Sequence, residues 1–313
     1  MNSPIGRDVD DGGGLYALMK PATGTLWRSG AVLFESQDGA TYTQVGSVTN
    51  AATFGTTSTA LGDWTGGRVF DETNSVTVDV GDGTLSSSTR AAILASASVN
   101  ACAIGAHGRW EYLQFRDATL VSAGVYKLTG LLRGSRGTEH NTGMHAIGDS
   151  FALFTVAGTL RVPRTTPQIG VEYSYKGVTA GRNLSTATAE PLTDAGVGLL
   201  PFSPFDVRQS VDVGSGDITL TWQRRTRLAV RTTGVLGISI PLGEESEQYT
   251  VTLYTDSSFD TVLRTLASVT TTSATYTAAQ QSTDAYSAGD PLFVHVQQLS
   301  AVVGAGTPAE ATL

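Results

Sequence analysis

A chain of 313 residues is long enough for about two domains of ordinary size, so a full hydrophobic core is available without disulfides or metals as staples. With 40% hydrophobic and only 15% charged residues it is neither a disordered tail nor a coiled coil, and its many glycines and β-branched residues favour strands joined by tight turns. A formal net charge of −8 and a pI near 5.0 disfavour nonspecific attachment to nucleic-acid phosphate or to anionic lipid.

The opening Met1-Asn-Ser-Pro-Ile-Gly-Arg-Asp8 has no basic stretch followed by an apolar one, so no secretory leader is read there. No apolar run approaches the ~20 residues that a membrane-spanning helix needs, which predicts no stable membrane insertion. After Leu15-Tyr-Ala-Leu-Met19, the pair Asp38-Gly39 separates two apolar runs and predicts a β-hairpin, because both turn positions must tolerate positive φ. Ser75-Val-Thr-Val-Asp-Val80 alternates and places Val76, Val78 and Val80 on one buried face.

Residues 87–104 break the strand pattern. Ser86 to Ser88 can cap, Arg90-Ala-Ala-Ile-Leu-Ala95 has helix-forming composition and Gly105 can stop the segment, which predicts one helix, the only one in the chain. The single cysteine, Cys102, sits in an Ala-rich stretch and reads as a small buried thiol. Strands resume at Trp110-Glu-Tyr-Leu-Gln-Phe115 and Gly124-Val-Tyr-Lys-Leu128, pass through a loop at Leu131-Leu-Arg-Gly-Ser-Arg-Gly-Thr-Glu139, and reach Ser150-Phe-Ala-Leu-Phe-Thr-Val156.

The first domain therefore spans 1–160, a connector with short strands and several prolines spans 161–200, and a second domain spans 201–313. In that last part the strand signals come at the spacing of a β-sandwich. Alternation there points Ile218, Leu220 and Trp222 inward, with Tyr249, Val251 and Leu253, and Leu292, Val294 and Val296. The fold class predicted is all-β, mainly antiparallel, with one short helix.

Sites for chemistry are scarce. No nucleophile elbow, P-loop, zinc spacing or dinucleotide fingerprint occurs, and Gly12-Gly-Gly14 lacks the flanking strand and helix that a phosphate loop needs. Asp8-Val-Asp-Asp-Gly12 begins like a calcium loop but lacks the remaining ligands. Glu139, His140, His145 and Asp149 have too loose a spacing to specify a metal. Glu244, Glu245 and Glu247 cluster in one loop, not on two walls of a cleft. Trp222-Gln-Arg-Arg-Thr-Arg227 is the most suggestive basic patch, since Arg224, Arg225 and Arg227 beside an aromatic can bind phosphate, carboxylate or sugar. Alternation instead sends Trp222 inward and Arg225 and Arg227 outward, to pair with the acidic loop at 244–247 on the surface. No cofactor and no enzymatic activity are expected.

The segment Leu131, Leu132, Arg133, Gly134, Ser135, Arg136, Gly137, Thr138, Glu139 resembles the C-terminal part of the tail-tip hub proteins of gene transfer agents and related siphophages, the host-specificity or "megatron" family. The opening Ser3-Pro-Ile-Gly-Arg-Asp8, Leu33-Phe-Glu-Ser-Gln-Asp-Gly39, Trp222-Gln-Arg-Arg-Thr-Arg227, Ile240-Pro-Leu-Gly-Glu244 and Val296-Gln-Gln-Leu-Ser300 are similar in the same order. The resemblance implies a structural protein of a virion tail tip or baseplate, made in the host cytoplasm. It further implies a homotrimer about the tail axis, contacts with hub proteins, and a fibronectin type III-like sandwich at the C-terminal end. A host surface receptor is a further partner to expect, met by sandwich loops such as Gly214-Ser-Gly-Asp217 and Thr232-Thr-Gly-Val-Leu-Gly237. A receptor- or glycan-binding adhesion module is the alternative, and cell-wall or glycan hydrolysis a weaker one that no residue constellation supports.

Overall fold

The structure, a computed structural model, describes residues 1–22, 27, 29–228 and 240–313. The chain forms two compact units, Met1–Gly198 and Leu199–Leu313. Nearly every regular element is an antiparallel strand.

Unit 1 contains β1 (Gly14–Leu18), β2 (Ala31–Ser36), β3 (Thr43–Val48), β4 (Phe54–Thr57), β5 (Phe70–Asp71), β6 (Val76–Asp79), α1 (Arg90–Ala95), β7 (Ala101–Gly105), β8 (Glu111–Ser122), β9 (Val125–Ser135), β10 (Ser150–Leu153), β11 (Thr159–Pro163), β12 (Glu172–Thr179) and β13 (Glu190–Thr193). Strands β9, β6, β4, β10, β7 and β8 pair in that order and β8 returns to β9, so they close into a barrel with β5 attached to the far end of β9. Closure removes the free edges that an open sheet would expose. The interior is filled by side chains, among them Val76, Val78 and Val80 from one alternating strand, with Cys102, Ile104, Leu113, Phe115, Leu128 and Phe151. Burial holds the Cys102 thiol well above its ordinary pKa, with nearby Glu111 adding to the effect.

The Asp38-Gly39 turn joins β2 to β3 as expected, with Asp38 Oδ1 accepting from the N–H groups of Ala40 (2.8 Å) and Thr41 (2.7 Å). These strands continue into a second sheet, β13-β12-β2-β3, and β1 pairs with β11. Residues 161–198 thus pair with the beginning of the chain and belong to unit 1.

The helix predicted over 87–104 is a correction. Only Arg90–Ala95 is helical, started by Thr89, whose side chain accepts from the Ala92 N–H, and residues 101–105 form the buried strand β7. Asn100 turns the chain at φ 49°, and Ala101-Cys-Ala-Ile-Gly105 is buried at every position. A short apolar run buried on both faces carries no period that distinguishes strand from helix.

Unit 2 contains β14 (Phe205–Val211), β15 (Ile218–Gln223), β16 (Tyr249–Tyr254), β17 (Val262–Val269), β18 (Ser273–Tyr276), α2 (Ala278–Thr283), β19 (Phe293–Ser300), β20 (Gly304–Ala305) and β21 (Ala309–Thr312). Sheet β14-β15-β18 and the five-stranded sheet β17-β16-β19, whose last strand pairs with both β20 and β21, share one core built from Ile218, Leu220, Trp222, Tyr249, Val251, Leu253, Leu292, Val294 and Val296, the residues that alternation assigns inward. Trp222 meets Tyr249 edge-on at 5.2 Å. Helix α2 was not anticipated, although Thr277 and Gln280 form a reciprocal capping box that marks its start.

Core and tip positions of the β8–β9 hairpin should respond differently to truncation. Leu128→Ala, inside the barrel, is expected to cost about 2–5 kcal/mol, and Val121→Ala, 61% exposed near the tip, to stay within about 0.5 kcal/mol, both read from denaturant unfolding.

Candidate functional site

The densest cluster of ionisable groups lies where β8 begins and β9 ends. The segment read as a loop, Leu131 to Glu139, is in fact the last part of β9 up to Ser135 followed by a tight turn. Leu131 faces the barrel core, Leu132 the opposite side against Phe70 and Ile93, and Arg133 shares the Leu131 side. Arg133, Glu111 and Asp71 have fully buried side chains.

All five N–H donors of the guanidinium are used. Nε and Nη2 of Arg133 donate to the two carboxylate oxygens of Glu111 at 2.7 and 2.8 Å, the bidentate arrangement that suits a planar guanidinium. Nη1 donates to the Gly62 carbonyl (2.9 Å) and to Asp71 Oδ2 (3.2 Å), and Nη2 to the Thr142 carbonyl (2.9 Å). One side chain therefore ties together the start of β8, the end of β9, the segment before β6 and the turn after β9.

The glycines and the threonine of the segment complete this arrangement. Between the pairs Gln114↔Leu132 and Tyr112↔Ser135 the register shifts, so that Arg133 and Gly134 together oppose Leu113 in a β-bulge. Gly134 sits at φ 56° with its N–H donating to Glu111 Oε1 at 2.9 Å, and a Cβ there would come within 3.0 Å of the Glu139 backbone. Thr138 Oγ1 accepts from the Tyr112 N–H at 2.9 Å and donates to the Ser135 carbonyl at 2.6 Å. Arg136 and Gly137, at φ 62° and 76°, turn the chain, and Arg136 pairs with Asp8.

On the far side of Glu111, His145 Nε2 lies 2.6 Å from Oε2, and His145 Nδ1 lies 3.5 Å from Asp149 Oδ2. Arg109 holds Asp149 through both carboxylate oxygens. Burial pushes the Glu111 carboxyl up, but hydrogen bonds from His145 and Arg133 and the Arg133 charge outweigh it, so its pKa is held below the usual carboxylate range. The Asp149 carboxyl is likewise lowered, burial being outweighed by Arg109 and by the Ala146 N–H. Asp71 follows the same pattern, its burial outweighed by Asn74 and Thr73. No group of metal-ligating side chains suited to an ion occurs among the described residues.

In unit 2 the structure corrects the outward reading of the arginines. Strand β15 ends at Gln223, so alternation no longer governs the arginines beyond it. Arg227 is turned in, its side chain 10% exposed, and its Nε donates to Glu244 Oε1 at 2.9 Å beside a carboxylate that is 2% exposed. Burial raises the Glu244 carboxyl, with Arg227 opposing the shift. Arg224 bridges both Glu247 oxygens at 3.1 Å and donates to the Ile240 carbonyl, while Arg225 lies 5.3 Å from the Phe202 ring. Trp222 is a core residue, 1% exposed. The proposed contact loop Gly214–Asp217 is the turn between β14 and β15, and residues 232–237 lie outside the described residues.

Unit 1 also holds a cavity of about 450 Å3, lined mainly by apolar side chains including Leu15, Leu18, Leu33, Phe54, Trp110 and Val162.

Residues 52–152, less than half of the chain, match the family model described as "Rcc01698-like, C-terminal", a family associated with gene transfer agents. The matched span covers the barrel strands up to Ala152 in β10, together with Asp71, Arg109, Glu111, Arg133, His145 and Asp149. No curated protein matches the chain.

Two outcomes are expected of the buried network. Arg133→Met, which strands Glu111 in the interior, should cost about 3–5 kcal/mol in denaturant unfolding, and adding Glu111→Leu should recover much of that loss. Because the folded Glu111 pKa lies below its unfolded value near 4.3, its contribution is present above that range and is lost as pH falls through the folded value. In Glu111→Gln the acid limb of the stability profile should therefore be shallower than in the wild type, by up to about 1.4 kcal/mol per pH unit.

Proposed function

We propose that the protein is a structural, non-enzymatic component of the tail tip of a phage-like particle, attached to the central hub. The observation that carries this reading is the match of residues 52–152, nearly all of the barrel, to a gene-transfer-agent family. The internal use of the arginine-glycine segment supports it, since Arg133, Glu111 and Asp71 hold strands together with their side chains fully buried. Glu111, His145 and Asp149, the groups best suited to acid-base work, are bound to one another and to two arginines. Such an interior suits a rigid building block.

Unit 2 is read as a fibronectin type III-like sandwich. A three-stranded sheet, β14-β15-β18, facing a five-stranded one in which β17-β16-β19 is followed by both β20 and β21 on β19 supports that assignment, as does the central Trp222. Within the particle the protein is a homotrimer about the tail axis, in contact with other tail-tip and hub proteins, with the sandwich available for attachment to a host surface. A closed ring of three copies is a symmetric solution for a protein that surrounds a tube.

Mass spectrometry of purified particles should find this chain in a fixed ratio to the hub, and a reconstruction of the tip should show three copies about the axis. Particles that lack the chain would defeat the tail reading, and a copy number other than three would defeat the trimer.

A further inference from the structure

The outward face of the sandwich sheet that contains β16 and β19 carries an aromatic group with no part in the core. Tyr254, Phe293 and His295 alternate outward from positions whose neighbours, Leu253, Val294 and Val296, are buried. Phe259, from the turn between β16 and β17, lies over them. Its ring stacks on His295 at 4.4 Å and 24°, and meets Tyr254 and Phe293 edge-on at 5.5 and 6.3 Å. One face of Phe259 is thereby fixed on the imidazole, and the other has no ring partner among the described residues.

Phe259 holds this position at φ 55°, the only aromatic residue among the described non-glycine residues at positive φ. Glycine adopts that conformation freely, and a bulky side chain adopts it only against a steric cost. A turn that needed nothing but the bend would be better served by glycine or asparagine. Retaining a strained ring over a sheet is the kind of local conflict that accompanies a binding surface.

The rim selects the ligand. Asp256, Ser258 and Thr255 lie in the same turn, and Glu310, 59% exposed, faces His295 at 3.4 Å. Burial lowers the pKa of the His295 imidazole, with Glu310 opposing, so the platform carries no positive charge at neutral pH. Carboxylates and hydroxyls accept from a sugar's hydroxyl donors, and the carboxylates of Asp256 and Glu310 repel anions. A single ring face is far smaller than the ~800 Å2 per partner of a stable protein interface, but it matches one sugar ring. The electron-rich face of an aromatic ring attracts the C–H face of a pyranose, whose hydrogens are partly positive.

We propose that Phe259, braced by His295, Tyr254 and Phe293, is a stacking platform for a neutral pyranose residue of a glycan. The site goes beyond the tail-tip reading and stands without it.

Saturation-transfer NMR on the full chain, with methyl glucoside, methyl galactoside and N-acetylglucosamine at millimolar concentration, tests the site directly. Transfer to the ring C–H protons of at least one neutral sugar is expected, with glucuronate weaker. Phe259→Tyr should retain the signal, and Phe259→Gly and Phe259→Leu should lose at least about tenfold. The melting midpoint of Phe259→Gly should stay within about 3 °C of the wild type, because relief of the strained φ offsets lost packing. The proposal is overturned if no neutral sugar receives transfer, if glucuronate binds as well or better, or if Phe259→Leu binds like the wild type. A large fall in the midpoint of Phe259→Gly would assign the ring to packing and overturn it equally.

Discussion

The first unit depends on one buried guanidinium. Arg133 lies where four separate backbone segments converge, and it satisfies two carbonyls and two carboxylates that no other described side chain ties together. Burying such a charge is costly unless every donor is met. The local sequence meets that condition. Gly134 allows the bulge and turns its own N–H toward Glu111, and Thr138 caps the Tyr112 N–H at the same bulge. The charge of Arg133 is thus met entirely inside the unit, while Glu139 at the end of the same segment stays exposed.

Much of the strand content was readable from alternation, because burial of one face imposes a period of two wherever a strand is half exposed. Val76, Val78 and Val80, the Asp38-Gly39 hairpin and the inward faces of β15, β16 and β19 all obey that rule. The rule fails where its premise fails. Strand β7 is buried on both faces and shows no period, so its alanines read as helix. Arg227 lies past the end of β15, where side-chain direction is set by the loop and by Glu244 instead of by the pleat. Helix α2 is six residues long, too short to show a period, yet its Thr277 and Gln280 caps were visible in the sequence.

The site was the least readable part. Arg133 could be singled out from its unusual setting, but its partners Glu111, Asp71 and His145 sit far away in sequence and in segments with no shared motif. Glu111 begins a strand whose next residues are apolar, a position where a carboxylate ordinarily faces solvent. Only the three-dimensional closure of the barrel brings these groups together. The same holds for the aromatic platform, where Phe259 from the turn after β16 meets His295 and Phe293, both on the distant strand β19.

A buried ion pair is a weak source of net stability, since an apolar replacement of both partners is often neutral or better. Its value here lies in what it forbids. Sliding β9 by one residue against β8 would send Arg133 to the outer face and leave Glu111 buried without its cation, at a cost of several kcal/mol. Leu131 and Leu132, being the same residue type, would tolerate that slip and so cannot define the register themselves. The polar pair therefore supplies discrimination that the neighbouring leucines lack. It does so at the joint where β9 leaves β6 and takes up β5, the place where a barrel strand has the most alternatives.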